Sequence, residues 1–395
     1  MASQQQQQQH EIPDDFKCPI SLEIMADPVI LSSGHTFDRS SIQRWIDSGN
    51  RNCPLTKQPL PRHFTLIPNH ALRSLISNFT LGSSNSNSIS SSSSSSNSKS
   101  PKPQTLLSTL TSTGSSTSCC SIELKIDSLS QLNRLCKKSN SVFRQRFMES
   151  GGVSAVLNTC VVSENTTLKE LGLTLLLNLS LDNDDNKVGL VAEGAISRVV
   201  GALKGGNSNC RAYAATLLTS LAMVEVNKGS IGAYPSAITT LVSLLRDGKR
   251  REKREAATAL YVLCSFPDNK KRVVECGAIP ILVEMVGLGF ERAVEVLELL
   301  TKCKEGREEI GRIDGFVAVF VQVLQSGSSR CVVHALSALA SLCSYSEELG
   351  WEVMRQGGLE ICLRLVEDDN EKTCRKASTL MQTLRKCQLK FKTLN

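Results

Sequence analysis

The chain has 395 residues, of which 41% are hydrophobic and only 4% aromatic, and its formal net charge is +7. No run of residues approaches the roughly 18 continuous apolar positions of a membrane-spanning helix. The low aromatic content disfavours a sheet-rich fold, because strands draw heavily on aromatic residues. The charge is too small to indicate nucleic-acid binding, which calls for a concentrated basic stripe.

Fifteen cysteines are present, an odd number, and no two are spaced Cys-x-x-Cys. The N-terminal run from Gln4 to Gln9 leads into no apolar segment of the secretory type. Disulfide scaffolds are typical of secreted chains. We therefore expect reduced thiols and an intracellular protein, with most cysteines buried as small apolar residues.

Composition divides the chain into segments. Between Ser83 and Pro101, 13 of 19 residues are serine, too few apolar side chains to form a core. The predicted organisation is a disordered glutamine-rich tail (1–11), a compact mixed domain (12–81), a disordered serine-rich linker (82–120), a helical repeat region (121–387) and a C-terminal tail (388–395).

The mixed domain contains signals for strands and helices. Residues 29–31 and 35–37 flank a turn at Gly34 and predict a β-hairpin. Asp38 is placed to cap a helix over 39–48, which ends at Gly49. Ile42, Trp45 and Ile46 share one face of that helix. Further on, Asn69 is placed to cap a last helix with an apolar face at Leu72, Leu75, Ile76 and Phe79.

The third region repeats. A glycine-hydrophobic step recurs at intervals of 38 to 43 residues, beginning at 151, 194, 236, 277, 315 and 357, with Ser236 in place of glycine once. Periods near 40 residues are typical of two- or three-helix armadillo or HEAT repeats. Five full repeats and partial units at each end are predicted. Such repeats stack into one continuous core with an extended binding surface.

The junction Glu275-Cys276-Gly277-Ala278-Ile279-Pro280-Ile281-Leu282-Val283 resembles that of armadillo repeats more closely than that of HEAT repeats. The predicted fold class is accordingly mainly α, with a small α+β domain, a disordered linker and an α-solenoid of armadillo repeats. This resemblance is specific for fold and uninformative about function, because solenoids bind many kinds of partner.

The first domain carries a more specific set of motifs. They are Ile12-Pro13 through Ser21, Asp27-Pro28-Val29, Ser33-Gly34-His35-Thr36-Phe37-Asp38-Arg39, Cys53-Pro54-Leu55-Thr56 and Ile67-Pro68-Asn69. In this order they resemble a U-box, a zinc-free domain shaped like a RING. With the serine-rich linker and the repeats, the whole chain is similar to the plant U-box–armadillo E3 ubiquitin ligases.

The donor residues argue against zinc. A RING needs eight ligands for two tetrahedral sites. At the ligand spacings this chain has Ser21 after Cys18, Thr56 after Cys53, and Asp38 after His35. We therefore predict no zinc and no other cofactor. Hydrogen bonds and salt bridges must replace the metal, and the candidate members of that network are Ser21, Glu23, Ser33, His35, Asp38 and Thr56.

The resemblance also implies a binding site. Ile20, Trp45 and Pro54 match the family's apolar groove for the ubiquitin-conjugating enzyme. An alternative interpretation makes Trp45 a core residue. Lys57 falls where the family places a cation that activates the bound ubiquitin. Many members have arginine there, and the alternative for Lys57 is a solvated loop residue.

The implied function is E3 ubiquitin transfer from a charged conjugating enzyme to a lysine of a substrate held by the armadillo repeats, with no covalent intermediate on the ligase. The alternative is a non-enzymatic armadillo scaffold whose U-box-like module only folds or dimerises. The expected partners are the conjugating enzyme, a protein substrate and a second copy of the U-box, with no nucleic acid and no membrane span.

We expect a cytoplasmic location, with the nucleus as a second compartment. The basic run Lys249-Arg250-Arg251-Glu252-Lys253-Arg254 has two interpretations, a nuclear localisation signal or the solvated start of a helix within a repeat.

Overall fold

A computed structural model describes residues 13–31, 33–60, 66–69, 72–73, 75–76, 103–111, 119–138 and 141–394. The predicted tail over 1–11 and the serine-rich stretch over 83–101 lie outside these residues. Contacts divide the chain into two units. The first comprises Met1–Thr105 with Ser139–Val153, and the second comprises Leu106–Lys138 with Ser154–Asn395.

A three-stranded antiparallel sheet forms the centre of the first unit. Strand β1 (Pro28–Ile30) pairs on one side with β2 (Thr36–Asp38) and on the other with β3 (Ile67–Pro68). The turn between β1 and β2 contains Gly34 at a φ of 80°. The predicted hairpin is thus confirmed.

The hairpin leads directly into helix α1 (Arg39–Asp47). The Asp38 side chain accepts a hydrogen bond from the Ser40 amide, so it is the predicted N-cap. Gly49, just beyond the helix, has the left-handed φ of 87° that favours glycine. The Asn69 side chain accepts from the Leu72 amide at 3.1 Å, as predicted for the last helix of this domain.

The core of this domain lies between the sheet, the helix and two loops. Its buried members are Cys18, Met25, Val29, Leu31, Phe37, Ile42, Cys53 and Ile76. Ile20, Trp45 and Ile46 are only partly buried and pack against this cluster. The two loops that carry Cys18 and Cys53 are therefore anchored from inside.

The remaining helices are α2 (Pro103–Thr111), α3 (Cys119–Lys138), α4 (Ser141–Glu149), α5 (Gly152–Val156), α6 (Thr166–Ser180), α7 (Asp184–Ala192), α8 (Ala195–Gly205), α9 (Ser208–Leu221), α10 (Glu225–Ala233), α11 (Ala237–Asp247), α12 (Arg250–Leu263), α13 (Pro267–Glu275), α14 (Ala278–Gly287), α15 (Glu291–Leu300), α16 (Lys304–Gly311), α17 (Phe316–Ser326), α18 (Ser329–Tyr345), α19 (Glu347–Arg355), α20 (Gly358–Leu365) and α21 (Glu371–Leu394). A π-helical turn, Leu157–Val161, follows α5.

Helices α7 to α21 form five repeats of three helices each, the number predicted. A residue in the left-handed conformation precedes the second helix of every repeat: Gly194, Ser236, Gly277, Gly315 and Gly357. These residues are the glycine-hydrophobic steps of the sequence. The third helices stack on one another from α6 to α21. The predicted α-solenoid is therefore confirmed.

Buried asparagines join neighbouring repeats. One stands at the third position of each of the first helices α7, α10 and α13. Each donates its side-chain amide to a carbonyl of the preceding helix at 3.0–3.1 Å: Asn186 to Leu179, Asn227 to Leu221 and Asn269 to Leu263. Asn227 and Asn269 each donate a second bond, to the first helix of the previous repeat, at the carbonyls of Lys187 and Lys228.

Two predicted boundaries need correction. The linker was predicted to be disordered over 82–120, but helix α2 lies inside that range and α3 begins at Cys119. Leu106 and Leu110, one turn apart on α2, are buried, and this burial stabilises the helix. The serine and threonine content of the segment makes the helix hard to predict from the sequence. The predicted C-terminal tail over 388–395 is also wrong in part, because α21 continues to Leu394.

Candidate functional site

Two loops of the first unit have the same sequence pattern and the same backbone. They are Cys18-Pro-Ile-Ser-Leu-Glu23 and Cys53-Pro-Leu-Thr-Lys-Gln58. In each, the cysteine amide donates to the carbonyl of the sixth residue at 2.8 Å. In each, the fifth-residue amide donates back to the cysteine carbonyl, at 2.8 and 2.9 Å. We call these the first and second knuckle loops.

The cysteine sulfurs accept hydrogen bonds at the centre of these loops. Cys18 Sγ accepts from the Asp38 amide at 3.2 Å, and Cys53 Sγ accepts from Ser33 Oγ at 3.1 Å. Burial alone would raise the pKa of Cys18, but the amides of Asp38, Ser21 and Ile20 outweigh it and lower the pKa below its usual value. The pKa of Cys53 is lowered in the same way, against burial, by Ser33 and Thr56.

Ser21 and Thr56 lie one in each knuckle loop, where each hydroxyl accepts a hydrogen bond from a backbone amide of its own loop. Their side chains contribute to the lowered pKa values of Cys18 and Cys53, and they stand where a RING has its next metal ligands. In a RING, sulfurs at these positions bind a metal. Here they accept hydrogen bonds from the protein instead. Among the residues the structure describes, no group of three or more His, Cys, Asp or Glu could hold a metal ion.

Asp38 accepts four hydrogen bonds through its side chain, the most of any carboxylate among the described residues of this domain. Its Oδ1 accepts from the amides of Ala26 and Asp27, each at 2.9 Å. Its Oδ2 accepts from the Ser40 amide at 3.2 Å and from Ser40 Oγ at 2.7 Å. One side chain thus joins the segment before β1 to the start of α1, a role that metal coordination has in a RING.

Glu23 and His35 do not join this network through their side chains. Both are exposed, and no hydrogen bond from either side chain to another described residue is found. They contribute through the backbone, since the Glu23 carbonyl accepts from the Cys18 amide and the His35 carbonyl from the Leu31 amide. Their predicted side-chain role is corrected accordingly.

Sequence reasoning missed the ion pairs of Asp27. This carboxylate pairs with Arg39 at 2.7 Å and also with Arg73, which in turn lies 3.5 Å from Glu149. Asp27 was recognised only as part of the motif Asp27-Pro28-Val29. Its partners lie 12 and 46 residues away in sequence, and no local pattern points to them.

The proposed apolar groove residues lie in or beside the knuckle loops. Ile20 and Pro54 are partly buried, each in the first half of its loop. The pattern of the two loops also places Leu55 at the position of Ile20, and Leu55 is 50% exposed. Leu22 is 75% exposed. Comparing the two loop sequences would have found Leu55, which the motif matching passed over.

Trp45 connects helix α1 to the second knuckle loop. Its indole Nε1 donates to the Asn52 carbonyl at 3.0 Å, and its own carbonyl accepts from the Asn50 side chain at 3.1 Å. Lys57 Nζ lies 5.8 Å from the centroid of the Trp45 ring. The structure thus brings together Trp45 and Lys57, and Trp45 is neither fully core nor fully exposed.

The basic run Lys249–Arg254 forms the first turns of α12. A buried glutamate in its midst, Glu252, accepts from the Lys249 amide and pairs with Arg211 of the preceding repeat at 2.6 Å. This geometry is that of a helix start, the second of the two interpretations offered by the sequence.

A small sheet domain with two sulfur-centred knuckle loops, followed by repeats of three helices, defines the class of U-box proteins with an armadillo solenoid. Comparison with known proteins agrees. The U-box domain model matches residues 12–85, and the model of the plant U-box protein ARM repeat region matches residues 106–395.

The relatives extend over nearly the whole chain. U-box domain-containing protein 8 of Arabidopsis thaliana is 55% identical over 374 residues, which cover 95% of this chain and 97% of that protein. E3 ubiquitin-protein ligase PUB23 of the same plant is 30% identical, over 94% and 92% of the two chains. This chain therefore belongs to the plant U-box proteins with an armadillo-repeat region.

Solved structures agree on the fold of the solenoid. A crystallised engineered protein superposes with a TM-score of 0.62 at 22% identity, covering 71% of this chain and 68% of its own. A chain from a study of the interaction between cadherin and beta-catenin gives 0.61 at 15% identity, covering 74% and 55%. None of the described helices is long and apolar enough to cross a bilayer.

Proposed function

We propose that this protein is an E3 ubiquitin-protein ligase whose two knuckle loops and Trp45 hold a ubiquitin-charged conjugating enzyme. The ligase activity and the conjugating enzyme as partner are supported by membership of the U-box family. The observation that supports the site is the pairing of the loops. Two equivalent loops present partly or fully exposed apolar side chains, Ile20, Pro54 and Leu55, beside an accessible tryptophan.

The mechanism needs no covalent intermediate on the ligase. The conjugating enzyme brings ubiquitin as a thioester, and the attacking lysine comes from the substrate. The ligase holds both, and such positioning can remove roughly 7–11 kcal/mol of barrier in favourable intramolecular cases. Rigid loops serve this purpose because a small misplacement of the reacting groups costs much of that gain.

Lys57 is the proposed activating cation. Its ammonium group lies against the Trp45 ring, and no carboxylate of the described residues forms an ion pair with it. It therefore retains a charge and donors for ubiquitin or the conjugating enzyme. Lysine offers a point charge where arginine would offer a planar fork, so Lys57 supports a weaker form of this contact.

The armadillo region binds the protein substrate, and stacked third helices provide its extended surface. Three finer features belong to the proposal. The domain works without zinc, which is supported by protein hydrogen bonds to Cys18 and Cys53. A second U-box can pair with the first. The protein acts in the cytoplasm and also in the nucleus.

Self-ubiquitination in a reconstituted mixture tests this function. The mixture contains activating enzyme, a panel of conjugating enzymes, ubiquitin and ATP, with and without a zinc-selective chelator. The variants are Ile20→Ala and, as a matched control, Ile67→Ala, an exposed isoleucine of β3 outside the knuckle loops. We expect a ubiquitin ladder that Ile20→Ala abolishes and that neither Ile67→Ala nor the chelator changes.

Hydrogen exchange of peptides covering residues 28–47 checks that the first domain of Ile20→Ala is folded, because the solenoid helices dominate the circular dichroism of the full chain. We expect a folded domain, since removing part of a partly buried side chain costs about 1–2 kcal/mol. Full activity of folded Ile20→Ala would overturn the proposed groove. If the wild type forms no ubiquitin ladder with any conjugating enzyme of a broad panel, the alternative, a scaffold without ligase activity, is favoured. Loss of activity with the chelator would contradict the zinc-free proposal.

A further inference from the structure

An arginine-lined groove crosses three successive repeats of the solenoid. It occupies about 760 Å³ at the starts of the third helices α12, α15 and α18. Five arginines line it, namely Arg250, Arg251 and Arg254 of α12, Arg292 of α15 and Arg330 of α18. We call this the arginine groove. Three glutamates also line it, which leaves a net charge of +2.

The carboxylates of the described residues do not neutralise this positive charge. Arg292 and Arg330 share one buried carboxylate, that of Glu295, at 2.5 and 2.8 Å. Two cations with one anion leave an excess. Arg250 and Arg251 are exposed, and neither forms an ion pair with any carboxylate in the described part of the chain.

Aromatic rings hold three of the guanidinium groups in place. Arg251 lies 4.8 Å from the ring centroid of Tyr213, and Arg250 lies 5.2 Å from that of Phe290. Arg292 lies 4.8 Å from that of Tyr261. Each of these stacks joins different repeats or helices, and a stacked guanidinium keeps its charge and its donors. The arginines are therefore positioned before any ligand arrives.

The backbone adds to this field. The groove lies at the N-terminal ends of α12, α15 and α18, where helix dipoles and free amides favour negative charge. Guanidinium groups suit carboxylates because both are planar and can form two parallel hydrogen bonds. The charge is confined to one groove and amounts to +2, which fits a peptide better than the long polyanion of a nucleic acid.

We propose that the arginine groove binds an acidic peptide segment of the substrate, with glutamate or aspartate side chains on Arg250 and Arg251. This inference rests on the proposed ligase function, because it names the chemistry of the substrate. It commits to carboxylates within a protein chain. The basic run that the sequence analysis left with two interpretations thereby acquires a binding role.

Peptide binding by the full-length protein tests the inference directly. The probe is a short fluorescein-labelled peptide rich in glutamate, and its control has glutamine in place of glutamate. The test variant is Arg250→Glu/Arg251→Glu. The matched control is Arg364→Glu/Arg385→Glu, which reverses two exposed arginines outside the groove. Both variants change the net charge equally, so a difference in peptide binding between them reports on the arginine groove.

We expect fluorescence anisotropy to show binding of the glutamate peptide and not of the glutamine peptide. Arg250→Glu/Arg251→Glu should weaken that binding at least roughly tenfold, since two charge-assisted contacts are lost. The remote pair should bind like the wild type. The groove variant should stay folded, because acidic residues in a first helical turn are favourable. Equal binding by the groove variant and the wild type would overturn the inference, as would equal losses in both variants.

Self-ubiquitination separates this inference from the proposed function. Arg250→Glu/Arg251→Glu should form the same ladder as the wild type, because the knuckle loops are unchanged. When the glutamate peptide is fused to a folded carrier protein, the wild type should ubiquitinate the carrier and the groove variant should not. If the wild type is active but ubiquitinates the carrier equally with and without the glutamate peptide, only the inference about the arginine groove is overturned. An inactive wild type would overturn the function, while anisotropy would still test the groove.

Discussion

Leu22 and Lys57 occupy the same position in the two knuckle loops, and both adopt the left-handed backbone conformation, with φ of 59° and 60°. Each is the fifth residue of its loop and donates its amide to the cysteine carbonyl. Residues other than glycine pay roughly 1–2 kcal/mol in this conformation. The two loops therefore share a strained position, and in both it carries a long side chain that points away from the core, exposed to solvent.

The first prediction concerns Lys57. Replacement by glycine relieves the left-handed strain but adds chain flexibility, so we expect stability to change by less than about 1 kcal/mol. Ubiquitin transfer should nevertheless fall by roughly tenfold, because the cation is lost. Lys57→Arg should raise transfer several-fold by supplying a planar fork of donors. Single-turnover discharge of ubiquitin from a charged conjugating enzyme measures both effects.

Leu22→Gly is the matched control for this experiment, because it relieves the same strain in the other loop. Its effect on ubiquitin discharge measures how much the relief of backbone strain, together with the loss of any apolar contact of Leu22, changes the rate. Equal activity of Lys57→Gly and the wild type would show that Lys57 is a solvated loop residue.

The second prediction concerns the substitute for zinc. Asp38→Ala removes a helix N-cap and leaves the amides of Ala26 and Asp27 without their acceptor. A lost cap costs about 1 kcal/mol, and each lost hydrogen bond of an exposed or part-buried amide costs up to about 1 kcal/mol. We expect the first domain to lose roughly 1–3 kcal/mol. Hydrogen exchange of peptides covering residues 28–47 measures this locally, because a chain of two units has no single unfolding free energy.

Asp47→Ala, at the exposed end of the same helix, is the control and should leave exchange unchanged. Elemental analysis of the wild type should find no stoichiometric zinc. Zinc bound to purified protein, together with faster exchange in the presence of a chelator, would contradict the hydrogen-bonded network as the substitute.

The third prediction is a pH dependence in the solenoid. Burial alone would raise the pKa of Glu252, but the Lys249 amide and Arg211 outweigh it and hold the pKa below its usual value. A carboxylate with a depressed pKa in the folded state stabilises at pH above its unfolded value, and this stabilisation is lost as pH falls through the folded pKa. Solenoid stability should therefore fall between about pH 5 and pH 3.

Glu252→Gln separates this contribution from that of other acids, such as Glu298, whose pKa is also lowered against burial by His334 and Lys302. The variant should be less stable than the wild type at neutral pH, and the difference should shrink as pH falls. Urea unfolding at several pH values measures the difference. A gap that stays constant with pH would mean that Glu252 acts by packing alone.

The fourth prediction concerns the buried asparagines. Asn269→Ala removes the two hydrogen bonds that its amide donates to the previous repeat, to Lys228 and Leu263, and the one that its oxygen accepts from Arg272. The two carbonyls then lose their donor, one in a buried and one in a part-buried place, and we expect a loss of about 2–3 kcal/mol. Hydrogen exchange should increase in both α10 and α13. An increase confined to α13 would show that the asparagine stabilises only its own repeat.

Sequence reasoning succeeded where the cause is local. Asp38 and Asn69 were predicted as caps because a side-chain oxygen two or three residues before an amide suffices for the bond. The period of the solenoid was readable because Gly277 and its counterparts must adopt a left-handed conformation. These features depend on a few adjacent residues, and their signals survive in any context.

The failures share a different cause. The side chains of Glu23 and His35 look suited to a polar network, but the loops use their carbonyls, and every residue has a carbonyl. The pairs of Asp27 with Arg39 and Arg73, and the stack of Arg250 on Phe290, join residues that only the fold brings together. Helix α2 was missed because two leucines a turn apart are a weak signal in a serine-rich segment.

The asparagine contacts between repeats have a consequence for cooperativity. At the matching third position of α16 the chain has Gly306, where a Cβ would collide with the Leu300 carbonyl, and the neighbouring Arg307 donates to the Thr301 carbonyl at the end of the third repeat. The asparagine bonds between successive first helices therefore end with the third repeat, and we expect the array to open beyond it into two blocks. The arginine groove extends across this junction from α12 to α18. An acidic peptide seated in it would join the blocks, so that substrate binding would make the solenoid unfold as one unit.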